Sequence, residues 1–175
     1  MNTYLNNQFI IAMPSLTDHN FSHTVTYLCQ HNADGALGIV INRSAEMKLG
    51  EIFEQMAIPV TSLVAAETPV FAGGPVQQER GFVLHPTGGE WAITMPVSES
   101  ISLTTSRDII EAIAVGKGPE QYFVALGYAG WGAGQLDREM SRGDWLVAPA
   151  DPVLLFSTKP DEIWAKAMKH AGISL

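Results

Sequence analysis

The sequence predicts an α+β fold: one compact domain over residues 1–175, with an antiparallel or mixed sheet built from hairpins and three to four helices packed on it. Three observations lead there. With 46% hydrophobic and 16% charged residues in a chain of 175, there is apolar surface for one full core and little composition for a disordered tail. Strand-like and helix-like patterns are interspersed, and turn residues rather than long crossovers join most strands. No repeat, low-complexity segment or interdomain linker divides the chain.

Phe9–Ala12 is a short apolar strand stopped by Pro14. From His23 to Gln30, Val25, Tyr27 and Cys29 alternate with Thr24, Thr26 and Leu28, a period of two. Asn32-Ala33-Asp34-Gly35 supplies turn chemistry and Ala36–Asn42 resumes a strand, which together predict a hairpin. Leu49, Ile52, Phe53 and Met56 fall at helical spacing, ending before Pro59. Val70-Phe71, Gly81–His85 and Trp91–Met95 read as strands, the last two joined through Pro86-Thr87-Gly88-Gly89. Thr105 or Ser106 caps a helix whose buried stripe is Ile109, Ile110 and Ile113, closed by Gly116. Tyr122–Leu126 is a strand and Gly127–Gly134 a glycine-rich loop, followed by a short helix over Gln135–Arg142. Trp145–Val147 and Pro152–Phe156 read as further strands. Pro160 opens a terminal helix that buries Ile163, Trp164, Ala167 and Met168 and ends at Gly172.

The densest feature is GYAGWGAGQLDREMSRGDW, residues 127–145. With the blocks FIIAMPSLTDHNFSHTVTYLCQHNADGALGIVINRS and FAGGPVQQERGFVLH it runs in order from Phe9 to Trp145 and resembles the bacterial YqgE/AlgH family. In that family a Pro-x-Leu-x-Asp-x-x-Phe run leads to a His, Gly-Ala-x-Gly, an Asn-Arg pair and Gly-Gly-Pro-Val. Ser44 departs from the pattern, standing where a proline commonly follows the Asn-Arg pair. The resemblance implies a compact α+β domain and a bacterial cytosolic protein. The family carries the label of transcriptional regulator, and the resemblance supplies no catalytic residues.

Composition narrows the function classes. Ten Lys and Arg against eighteen Asp and Glu give a net charge of −8. The basic residues are scattered from Arg43 to Lys169, whereas DNA binding requires them clustered on phosphates. A DNA-binding regulator is therefore the least favoured class. The single cysteine, Cys29, excludes an internal disulfide and fits a reducing compartment. The start, MNTYLNNQ, lacks the regions of a signal peptide, and no apolar run reaches the ~20 residues of a membrane span. A cytoplasmic protein without a membrane segment, metal or cofactor is expected.

Several constellations can carry chemistry. Gly134 precedes a helix whose free N–H groups can face an anion, or else the loop's glycines serve a tight connection under Trp131. The loop lacks a Gly-Lys-Ser/Thr ending and a dinucleotide fingerprint. Gly73-Gly74 ahead of Pro75 can form an anion nest or a plain turn. His19 and His23 lie four apart in a strand-like context that gives them no shared helical face. His31 and His85 have no metal-ligand spacing. Cys29 and His31, two apart in a strand, point to one face, so a thiol–imidazole pair is geometrically allowed beside a buried, inert thiol. Arg43, after Asn42, is a fork for a carboxylate or phosphate, or else the partner of Glu139 in an internal ion pair.

These residues predict a non-enzymatic binding or regulatory module. Its groove would be formed by His31, Asn42, Arg43, Gly73, Gly74, Gly134, Gln135 and Glu139 and would hold a small anionic molecule or a peptide. An enzyme of unspecified reaction using His31 or Cys29 is the alternative.

Overall fold

The computed structural model describes residues 4–14 and 22–172. The motif residues Leu16, Asp18, His19 and Phe21 lie outside them. Strand β1 (Gln8–Ala12) is buried along most of its length and pairs antiparallel with β2 (Val25–Asn32). A hairpin joins β2 to β3 (Gly35–Val40), its turn fixed by the Asn32 side chain accepting the Asp34 amide at 2.8 Å. A short strand β4 (Ser44–Lys48) leads into helix α1 (Leu49–Gln55), whose first turn is held by the Glu51 carboxylate accepting the Lys48 amide. Helix α2 (Leu63–Ala66) is one turn capped by Ser62.

Strand β5 (Pro69–Ala72) is followed by the long β6 (Val76–Pro86), then β7 (Thr94–Pro96) and β8 (Ile101–Thr104). Helix α3 (Arg107–Ala114) begins after Ser106 and buries Ile109, Ile110 and Ile113, as its spacing predicts. Strand β9 (Phe123–Trp131), helix α4 (Gln135–Ser141), strand β10 (Trp145–Pro149) and helices α5 (Pro152–Ser157) and α6 (Pro160–His170) complete the described chain. The main path of the sheet runs β10-β1-β2-β3-β9-β6-β8-β7, with β5 parallel to β9 and β4 paired to β5.

The fold is α+β, and among the described residues the sheet is antiparallel except for the β5–β9 pair. Successive residues of β6 serve opposite faces. Phe82 and Leu84 join the core with Phe9, Tyr27 and Ile39 under α5 and α6, while Val83 joins α1 and α3 on the other face. A third cluster sets Ile10, Leu28, Trp131 and Trp145 against Leu136 of α4.

Four expectations are corrected. Among the described residues there are six helices, because α2 and α5 were not foreseen. Pro152–Phe156 is not a strand: Asp151 accepts the Val153 amide at 2.9 Å and Pro152 fits the first helical turn, so a short apolar run becomes a helix. The glycine stretch is strand as far as Trp131, since Ala36, Leu37 and Gly38 of β3 pair with Trp131, Gly130 and Ala129. Finally, the strand read over Trp91–Met95 begins only at Thr94, as β7, which pairs with β8.

Candidate functional site

The motif of residues 127–145 folds back on itself. Glu139, one helical turn after Gln135, accepts both indole N–H groups of Trp131 and Trp145 at 2.9 Å and the Gln135 side-chain amide at 3.0 Å. Gln135 in turn accepts the Gly132 amide at 3.0 Å. Gly134 holds φ 71° and lets the chain turn from β9 into α4. The side chains with the most chemistry in the motif are thus bonded to one another, closing helix onto sheet. Among the described residues no ion pair joins Glu139 to Arg43, whose guanidinium donates to the Ser22 carbonyl at 3.2 Å.

A second glycine set permits a chain crossing. Phe71 and Ala72 pair with Ala125 and Leu126 on one edge of β9, while Phe82 and Gly81 pair with the same two residues on the other. Residues 73–75 therefore pass across β9, at Gly127-Tyr128. A Cβ on Gly74 would lie 2.1 Å from the Tyr128 carbonyl carbon, and one on Gly73 would lie 2.4 Å from the Gly127 oxygen. The Gly73 amide donates to the Leu126 carbonyl at 2.8 Å, so it is not offered to a ligand.

The remaining predicted residues do not share one groove with these. His31 is buried, its Nδ1 accepting the Leu5 amide at 3.0 Å and its Nε2 facing Asp137 at 3.3 Å. That fixes the proton on Nε2 and ties the N-terminal segment to α4. Cys29 occupies a β-bulge, where Leu28 pairs with Gly38 and Gln30 with Leu37. The extra residue breaks the alternation, so Cys29 enters the core with Tyr27 while His31 faces α4. The thiol donates to the Tyr27 carbonyl at 3.8 Å, and burial pushes it far above the usual thiol range. Asn42, at the far end of β3, accepts the Val25 amide at 2.9 Å and donates to the His23 carbonyl at 2.9 Å. His31, Gln135, Glu139 and Gly134 thus gather around α4, Gly73 and Gly74 lie at the crossing, and Asn42 and Arg43 sit beside Ser22 and His23.

The sheet offers a different opening. Between Val76 and Gly81, β6 bulges away from β9: Val76 pairs with Tyr128 and Gly81 with Leu126, leaving four residues opposite Gly127 alone. This arch, the end of α1 and the start of α3 surround a cleft of about 530 Å³, within the roughly 300–1,000 Å³ usual for small-molecule sites. Other surface hollows reach a similar volume, but this one has core residues for a floor: Ile52, Val83, Ile110 and Val124 all belong to the second hydrophobic cluster. Its rim carries Gln55, Gln78, Glu79, Arg80, Thr105 and Arg107.

Gly81 is the telling residue here. A Cβ at this position would meet nothing within 4 Å, and its φ lies outside the left-handed region. Of the sixteen glycines, Gly81 alone combines those two properties. A glycine in a strand interior costs roughly 0.5–1 kcal/mol relative to alanine, and here neither sterics nor dihedral requires it. What its missing side chain provides is open space in the cleft. Nothing in the local sequence marks this glycine off from its neighbours; only the cleft does.

Fold and site together define a small α+β domain with a core-floored cleft and a self-bonded tryptophan motif. The chain belongs to the AlgH-like family, whose model matches residues 9–175. It is 54% identical to a UPF0301 protein of Thioalkalivibrio sulfidiphilus over 97% of this chain and 90% of that one. A UPF0301 protein of Methylococcus capsulatus is 52% identical over 98% of this chain and 92% of its own length. The solution structure of the AlgH protein from Pseudomonas aeruginosa superposes with a TM-score of 0.86 at 44% identity, covering 99% of this chain and 92% of that one. A Corynebacterium diphtheriae protein, at 20% identity and a TM-score of 0.74 over 96% of this chain and 87% of its own, shares the fold. No helix among the described residues is long and apolar enough to cross a membrane.

Proposed function

We propose that the protein is a non-catalytic binding module that holds a small anionic ligand in the cleft above Gly81. The observation that carries this reading is Gly81 itself, a strand glycine with no backbone reason to be one, set over an apolar floor and under two arginines. Enzymatic use of His31 or Cys29 finds no support, because both side chains are buried and already bonded. The single buried thiol and the net charge of −8 fit a cytoplasmic protein that does not bind DNA directly.

The test is a thermal-shift screen of organic anions against the parent, Gly81→Trp and Gly81→Leu. Ligands are expected to raise the melting temperature of the parent and to lose that effect in proportion to the side chain filling the cleft. Equal stabilisation of all three proteins would refute the site.

A further inference from the structure

We propose that the ligand of the Gly81 cleft is an aliphatic monocarboxylate, with its hydrocarbon tail on the floor and its carboxylate between Arg80 and Arg107. This rests on the binding reading above and adds the ligand's chemistry. The residues around the cleft include no aromatic ring, so a nucleobase or other flat π-system finds no ring to stack on. The floor is instead branched aliphatic side chains, which suit a flexible chain of methylenes.

The rim sets the head group. The lining side chains bear two guanidinium groups and one carboxylate, Glu79, in a chain whose total charge is −8, and Glu111 stands behind Arg107 outside the lining. Arg107 is held in place, with Nη2 donating to the Met56 carbonyl at 2.8 Å and Nε 3.5 Å from Glu111. Its Nη1 has no hydrogen bond among the described residues. Arg80 rests over the Phe82 ring at 5.7 Å and makes only long contacts, 3.5 Å to Gln77 and 3.4 Å to Thr105. A guanidinium already braced on one side is suited to a carboxylate's paired oxygens. Glu79 on the same rim opposes a second negative charge on the ligand, which favours a monoanion over a phosphate dianion.

Calorimetric titration of the full chain with hexanoate, octanoate, decanoate, decanol and decylammonium, kept below micelle formation, tests this. Affinity should rise on the order of fourfold per methylene through the carboxylate series, as buried apolar area predicts. Decanol should bind about tenfold more weakly than decanoate, and decylammonium more weakly still. Arg107→Gln should erase the preference for decanoate over decanol while keeping the decanol affinity, a pattern that misfolding does not produce. Glu79→Gln should tighten decanoate and admit decyl phosphate. Equal binding of decanol and decanoate overturns the assignment of the head group. If decanoate fails while another anion still binds the parent and not Gly81→Trp, the ligand class is wrong and the binding reading stands. If no anion binds, both fall.

Discussion

Gly74 and Gly81 are seven positions apart in one continuous stretch of chain, and they are glycines for opposite reasons. At Gly74 there is no room for a side chain: φ is 155° and a Cβ would collide with the backbone of Tyr128. At Gly81 there is nothing but room. The first glycine lets the chain cross β9 and so determines the topology. The second gives the fold nothing and leaves a cleft over the second core cluster. A glycine-rich motif is therefore not one kind of signal. Its meaning is decided by what stands where the Cβ would be, which the letter G does not disclose.

The sharpest way to break this contrast is at the crossing. Gly74→Ala should lose about 4 kcal/mol in urea unfolding, because the intruding atom is opposed by backbone that cannot rotate away. A variant that unfolds with the parent would mean that the crossing does not depend on the missing Cβ. The next effect belongs to the tryptophan motif. Glu139→Ala should lose about 2 kcal/mol, since it leaves the Trp131 and Trp145 indoles without this acceptor, while Glu139→Gln should recover part of that through its amide oxygen. Near-neutral Glu139→Ala, together with loss of ligand binding, would move the functional site back to the motif.

The smallest effect is electrostatic and lies at the start of α3 beside the cleft. Burial pushes the Asp108 carboxyl upward, but bonds from the Ser106 hydroxyl at 2.6 Å and the Ala92 and Ile109 amides at 2.8 and 2.9 Å outweigh it and hold it below the usual carboxylate range. A lowered value in the folded state means stability that is present above the unfolded value and lost as pH falls through the folded one. The advantage of the parent over Asp108→Asn should accordingly shrink below about pH 4. A gap that widens with acid would reverse the sign of the interaction.

Much of the fold was legible in the sequence because its cues are local. Asn32 to Gly35 announced the first hairpin, isoleucine spacing announced α3, and Pro160 opened the last helix where expected. The misreadings arose where local chemistry was ambiguous. The run Val153–Phe156 is apolar in either period, and the cap at Asp151 decided for helix. Glycines 127 and 130 signalled a loop, but pairing with β3 and β6 on either side of Gly127, which itself takes φ 79°, keeps the stretch in the sheet. The candidate site was harder to read. Arg43, His31 and Glu139 have the right chemistry, yet their partners Ser22, Leu5 and Trp145 are fixed by tertiary structure. The cleft gathers residues from Ile52 to Leu126, each unremarkable in its own segment, with no spacing to connect them.

The most direct measurement is the urea midpoint of Gly81→Ala beside that of Gly74→Ala. If Gly81 exists to keep the cleft open, alanine there should unfold at or above the parent midpoint, by up to roughly 1 kcal/mol, because it relieves the entropic cost of glycine without meeting any atom. A loss comparable to that of Gly74→Ala would contradict this and make Gly81 one more glycine that the fold requires.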